Sequence, residues 1–199
     1  MPRVSTARSR LVASGRRRIH ASSYAAASVE DLCADAGVQK GSFYYFFPSK
    51  RDLALAAIDD QWANTQATIL EPAFASDVEP LARIARFFHA VADHQRGRVV
   101  RGCPFGNLAA ELGTQDRAIR DRIRRVFDGY QAYFEQALRE AAAGGSLPEV
   151  DVPSAARALL AYFQGALLLA KTHNDARVID TLADHALNLA TGRQRLEST

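Results

Sequence analysis

Apolar residues recur at helical spacing along almost the whole chain, and period-two alternation is nearly absent. A first helix is expected over residues 5–21, followed by a turn at Ser22-Ser23-Tyr24. Ser28 then caps a second helix, in which Val29, Leu32, Cys33 and Ala36 recur at i, i+3, i+4 and i+7. This spacing makes Cys33 a small core residue. Gly37 ends the helix, and a very short turn leads into a third one rich in aromatic residues. Ser49, with Asp52 three residues later, has the form of a capping box for a fourth, long helix. Its stripe is Leu53, Ala57, Ile58, Trp62, Thr65 and Ile69, and Glu71-Pro72 closes it.

The rest of the chain has the pattern of a helical bundle. A helix over about 78–96 precedes the loop 97–102, and Pro104 opens a short helix to Leu112. Thr114 is placed to cap a long helix carrying Ile119, Ile123, Phe127, Tyr130, Phe134 and Leu138, which Gly144-Gly145-Ser146-Leu147-Pro148 stops. Two final helices are expected over 153–172 and 176–191. The first is apolar nearly all round, the mark of a helix buried in a domain or in a subunit interface. Leu160, Leu167 and Leu168, with Ile179, Leu182, Ala186 and Leu189, are enough for two subunits to share a four-helix interface. The longest apolar run, 158–170, is interrupted by Gln164 and Gly165 and falls short of a bilayer span. The expected class is all-α: a three-helix helix-turn-helix domain over 1–48, then a ligand-binding and dimerisation bundle over 49–199.

The stretch Gly41-Ser-Phe-Tyr-Tyr-Phe-Phe-Pro-Ser-Lys50 sets five aromatic residues in a row. A buried strand needs apolar partners on both faces, which Lys40, Ser42 and Ser49 at its edges do not fit. On a helix, Phe43, Phe46 and Phe47 share one face, while Tyr44 and Tyr45 fall on the other with Lys40 and Gly41. Two outward hydroxyls beside a basic residue suit a phosphate backbone.

Charge sharpens this picture. Residues 1–51 carry nine Lys or Arg against three acids, a balance of +6, whereas the whole chain carries +3 and the remaining 148 residues therefore sum to −3. A front end this basic is built to meet a polyanion. Its richness in Arg and Ser also describes an organelle transit peptide, but it leads straight into a helix-turn-helix, where a basic lead helix belongs. The two cysteines, Cys33 and Cys103, form neither a disulfide framework nor a zinc cluster, which points to a reducing cytosol. His89, Asp93 and His94 have the spacing of a metal pair, yet surface histidines are the commoner explanation, and neither metal nor cofactor is expected. No Gly-rich phosphate loop and no nucleophile–base spacing supports an enzyme. The alternative to a DNA-binding regulator is a helical-bundle enzyme or ligand-binding protein with incidental DNA affinity.

The lead helix followed by Ser28-Val-Glu-Asp-Leu32 and Ala36-Gly-Val-Gln-Lys-Gly-Ser-Phe-Tyr-Tyr-Phe-Phe-Pro-Ser-Lys50 resembles the TetR family of bacterial transcriptional repressors over residues 5–60. The resemblance implies a third helix in the major groove, with Gln39, Lys40 and Ser42 near base edges. Ser28, Tyr44, Tyr45 and Lys50 would be backbone contacts. Two features depart from the family pattern: Ser23 stands where a glycine is usual, and Arg16 and Arg18 interrupt the apolar stripe of the lead helix.

Further on, Gly102-Cys-Pro-Phe-Gly-Asn-Leu-Ala109 and Tyr162-Phe-Gln-Gly-Ala-Leu-Leu-Leu-Ala-Lys171 resemble the ligand-binding half of family members that respond to small, often electrophilic or unsaturated, compounds. Pro104 at the first helical position makes Cys103 the N-cap, where helix-end amides and Arg101 favour a thiolate. The resemblance implies that Lys171 reaches the same cavity, with Phe105, Asn107, Phe127, Tyr130 and Gln164 lining it and Trp62 on the fourth helix beside it. Read alone, Cys103 also fits a small buried hydrophobe and Lys171 a solvated cation. The implied protein is a dimeric regulator, released from operator DNA by a small-molecule inducer, with no membrane partner.

Overall fold

The computed structural model describes residues 3–147 and 150–191, with side chains at 6–147, 150–186 and 188. All regular structure among them is helical: α1 (Arg3–Ala21), α2 (Val29–Ala36), α3 (Lys40–Phe46) and α4 (Lys50–Thr65) come first. A π-helical turn (Gln66–Leu70) runs into α5 (Glu71–Ala73), and then follow α6 (Pro80–Gln95), α7 (Pro104–Leu112), α8 (Arg117–Ala143), α9 (Val152–His173) and α10 (Arg177–Thr191). The contacts divide the chain into two units, one of residues 1–65 and 104–126, the other of 66–103 and 127–199. The sequence-drawn boundary at 48/49 cuts differently, because α4 packs along α1 and so belongs with the first unit.

Local chemistry accounts for the helix ends of the first unit. The Ser28 hydroxyl accepts from the Asp31 N–H, and the Asp31 carboxylate accepts from the Ser28 N–H, a reciprocal capping box. Gly37 ends α2 at φ 61°, a left-handed position that costs glycine no Cβ strain. Ahead of α4 the Ser49 hydroxyl accepts from the Asp52 N–H and donates to the Asp52 carboxylate. Leu11, Val12, Leu32, Cys33, Phe43, Phe47 and Leu53 form the core these helices share. Cys33 lies in it, and burial pushes its thiol pKa up. Ser23 needs no left-handed conformation; its hydroxyl and carbonyl instead accept from Ala26 and Ala27. Arg16 and Arg18, which interrupt the lead stripe, turn outward to Asp60 and Asp35.

The second unit is built on aromatic rings. Phe87 meets Phe163 at 4.8 Å between centroids, Phe134 at 5.5 Å and Phe88 at 5.7 Å, all edge-on. Arg83, nearly buried on α6, donates to the Val78 carbonyl and to the Glu140 carboxylate.

Four expectations are corrected here. Pro72 does not close α4; helical structure runs on to Ala73, because Pro72 falls in the opening turn of α5, where its missing N–H costs nothing. Thr114 does not cap α8. The N–H groups of Gly113, Gln115 and Asp116 are used on carbonyls at the end of α7, so α8 starts at Arg117 and Asp116 accepts from the Ile119 N–H. Phe47 ends α3 in extended conformation, yet stays buried. Of the expected interface residues, Leu167, Ile179 and Ala186 face the core of their own unit, whereas Leu168 is 60% exposed, and Leu169 beside it, which was not expected there, is 48% exposed. By length and composition alone α9 is apolar enough to cross a membrane, but Leu159, Phe163, Ala166, Leu167 and Ala170 on one side of it are buried within the unit. Leu189 and Pro148 lie outside the described side chains.

Candidate functional site

Helix α3 separates its rings by face, and the capped α2 before it fixes where that face points. Phe43 and Phe47 are buried, while Tyr44 is 50% and Tyr45 76% exposed. Gln39, Lys40 and Gly41 are exposed on the same helix start, and Ser42 is half-buried. Gln39 occupies the N-cap position without a side-chain capping bond. A Cβ at Gly41 would meet nothing within 4 Å, so packing does not demand glycine there. Arg8 lies over the Phe47 ring at 5.3 Å, adding a cation to the same end of the unit.

Three expected contacts have employment within the protein. The Ser28 hydroxyl is spent in its capping box. Lys40 pairs with Glu30, an exposed bridge that solvent screens. The Lys50 ammonium donates to the Tyr24 carbonyl at 2.9 Å and the Ala27 carbonyl at 3.1 Å and sits 4.3 Å from the Tyr24 ring centre. This tie was not visible in the sequence.

The acids of α2 are held below their ordinary carboxylate range: Glu30 by its bond from Lys40, Asp31 by the Ser28 hydroxyl and Asp35 by the Ser14 hydroxyl. Depressed folded pKa values give stability that is present above the unfolded values near 4 and is lost as pH falls through the folded ones. Thermal midpoints taken from pH 7 down to 3 should therefore fall, and fall less in Asp31→Asn. An identical pH profile in that variant would contradict the assignment.

The expected ligand residues divide between the units. In the first, Trp62 meets Phe105 edge-on at 6.3 Å, and Asn107 follows on α7. A cavity of about 20 Å³ lies between α1, α4 and α7, room for about one water. Of the expected residues it takes only Phe105; Ile19, Ala57, Ile58 and Leu108 give it apolar walls, and Arg16, His20 and Gln61 a polar rim, which the sequence did not single out.

The second unit holds Cys103, Phe127, Tyr130, Gln164 and Lys171. Cys103 is buried directly ahead of α7. Gly102 before it has φ 71°, and a Cβ there would lie 3.3 Å from Lys171 Cδ and 3.4 Å from the Leu167 carbonyl oxygen. Both conformation and space thus require glycine, which lays this loop against the Lys171 stem. Tyr130 packs between Phe87 and Phe163, at 6.1 and 5.8 Å. The Gln164 Nε2 is buried without a hydrogen-bond partner among the described residues. An unmet donor of this kind costs about 1–3 kcal/mol and marks a place where an acceptor fits. His89 is bonded to Asp180 at 3.0 Å and Asp93 to Arg96 at 2.8 Å, so the two do not converge as a metal pair.

Residues 11–57 match the family described as bacterial regulatory proteins, tetR family, and residues 80–186 match the tetracyclin repressor-like C-terminal domain. The chain is 34% identical over 174 residues to the transcriptional regulator AcuR of Cereibacter sphaeroides, covering 85% of this chain and 78% of that one. It is 29% identical to the transcriptional repressor DhaR of a Mycobacterium species, covering 87% and 86%. A TetR transcriptional regulator from Chloroflexus aurantiacus, known from its crystal structure, superposes with a TM-score of 0.82 at 30% identity, covering 98% of each chain. The basic front end, the outward tyrosines on a capped helix-turn-helix and these matches across both halves lead to one conclusion: the chain belongs to the TetR family of bacterial transcriptional regulators.

Proposed function

We propose that this regulator is a repressor that binds a pseudo-palindromic operator as a homodimer and leaves it when a small molecule occupies the effector bundle. The observation that carries the reading is α3, where Phe43 is buried, as is Phe47 just past its end, while Gln39, Lys40, Gly41, Tyr44 and Tyr45 face outward. Residues 1–48, with Lys50 just beyond them, read DNA, and the rest of 49–199 serves ligand and dimer. In the dimer two α3 helices sit about one DNA turn apart, on the order of 34–36 Å. Gln39, Lys40 and Ser42 reach base edges, and Tyr44, Tyr45 and Lys50 hold phosphates, with the amides behind Ser28 in support. An inducer needs only to prefer the splayed arrangement, since the shift it causes equals its differential affinity for the two states. The chain passes without a break from α4 near Trp62 into the segment 66–73, a covalent route for that shift. Selection of duplexes from random DNA with the purified full-length protein tests the reading: an inverted repeat is expected, and recovery of no preferred sequence would end it.

Dimerisation is assigned to the outward side of α9, where Leu168 and Leu169 are exposed. Sedimentation should give a dimer at micromolar concentration, and Leu168→Glu with Leu169→Glu should give a folded monomer. A wild-type monomer under these conditions would exclude the dimer.

Inside the bundle, Cys103 is the proposed sensing residue, Lys171 beside the Gly102 loop its cationic neighbour, and Gln164 the donor to a ligand acceptor. Phe127 and Tyr130 of the same unit supply its walls, as small-molecule sites require. A reactive enone should release wild-type protein from DNA and release Cys103→Ser far less; equal release would remove Cys103 from the mechanism.

A further inference from the structure

The α1–α2 loop, residues 22–28, carries the chain from the lead helix to the cap of α2, and several of its backbone donors are met by partners close in sequence. Ser22 N–H returns to the Arg18 carbonyl, Ala26 and Ala27 donate to Ser23, and Ser28 donates to Asp31. The N–H groups of Tyr24 and Ala25 are met instead from far along the chain. Both point at one carboxylate: Glu111 accepts from Tyr24 at 2.9 Å and from Ala25 at 2.7 Å. On the acceptor side of the same loop, the Lys50 ammonium takes the carbonyls of Tyr24 and Ala27. An anion thus holds the donors and a cation the acceptors, and all these groups belong to the first unit.

The position of Glu111 is otherwise unfavourable. It is the penultimate residue of α7, at the end of a helix whose dipole is negative, where an acid is normally disfavoured. It also adds negative charge to a unit that must meet a polyanion. Two charge-assisted bonds to backbone amides offset both costs.

We infer that Glu111 is a positioning residue for DNA recognition: by fixing the Tyr24–Ala25 amides it sets the entry of the chain into α2, and through α2 the pose of α3. This rests on the reading of α3 as the DNA-contacting helix. Glu111 touches no DNA itself, so its removal has a diagnostic sign. If the residue were merely one more surface acid, Glu111→Gln would strengthen binding to every duplex, by relieving repulsion. If it positions α3, the same change weakens binding to the preferred duplex alone.

The test uses full-length protein, a 30-base-pair duplex selected on the wild type, and a scrambled duplex of equal length. Glu111→Gln is expected to bind the selected duplex at least tenfold more weakly, with the salt slope unchanged, and the scrambled duplex as well as before or better. Amide exchange gives a readout that needs no variant: the Tyr24 and Ala25 amides of the wild type should be protected at least tenfold, and more strongly in the presence of the selected duplex. Exchange of those two amides at unprotected rates, or equal tightening on both duplexes in Glu111→Gln, overturns the proposal. Failure of the wild type to select any duplex overturns it together with the DNA reading, and appears before a variant is made.

Discussion

Phe43→Ala is expected to cost the first unit about 3–5 kcal/mol, enough to unfold it at physiological temperature. Phe43 is fully buried, with Leu11, Leu32, Cys33, Ala36 and Leu53 in the same cluster and the Tyr44 and Phe47 rings at 5.2 and 6.0 Å. It also belongs to a helix of only seven residues, too short to stand without its buried face. Loss of the ring therefore removes both the transfer term and the anchor of α3. Chemical unfolding followed by the helical signal should show an early transition in the variant, and DNA binding should vanish with it. Phe43→Leu, which keeps most of the volume, should recover much of the loss. A destabilisation of Phe43→Ala below about 1 kcal/mol would mean that the core collapses around the gap and that α3 is held by something else.

Lys50→Ala should weaken DNA binding more than any other single change on the outward surface, because it removes two things at once. One is the tie to the Tyr24 and Ala27 carbonyls. The other is the proposed phosphate contact, which contributes about 0.9 units to the slope of log K against log salt and so roughly an eightfold loss at 0.1 M. Tyr44→Ala, at a half-exposed ring, should also weaken all sequences alike but leave the salt slope and the thermal midpoint nearly as they were. Lys40→Ala should instead change which sequences are preferred. The slope separates the two employments of Lys50: a full slope in Lys50→Ala would leave it only as a loop tie, and an unchanged affinity would remove it from the interface altogether.

The sequence by itself determined the helices, their caps and the two faces of α3, because each depends on residues three or four positions apart. Ser28 with Asp31, Ser49 with Asp52 and the left-handed Gly37 are contacts of this local kind, and so is the division of Phe43 from Tyr44 and Tyr45. Periodicity failed where two short-range options competed: Thr114 and Asp116 are both capping residues, and the choice fell to Asp116 because the end of α7 had already claimed the amides between them. It failed also on α9, where apolar residues all round the helix cannot say which side is covered; packing within its own unit buries Leu167 and leaves Leu168 out. The grouping of the ligand residues was decided by contacts as well, with Trp62 and Phe105 in one unit and Tyr130 and Gln164 in the other. Most distant from any sequence pattern is the polar clamp on the α1–α2 loop. Glu111 and Tyr24 stand 87 positions apart, and Lys50 and Tyr24 stand 26 apart. A charged residue on a helix face looks the same in sequence whether water or a backbone amide meets it, and only the fold brings the amides of a loop within its reach.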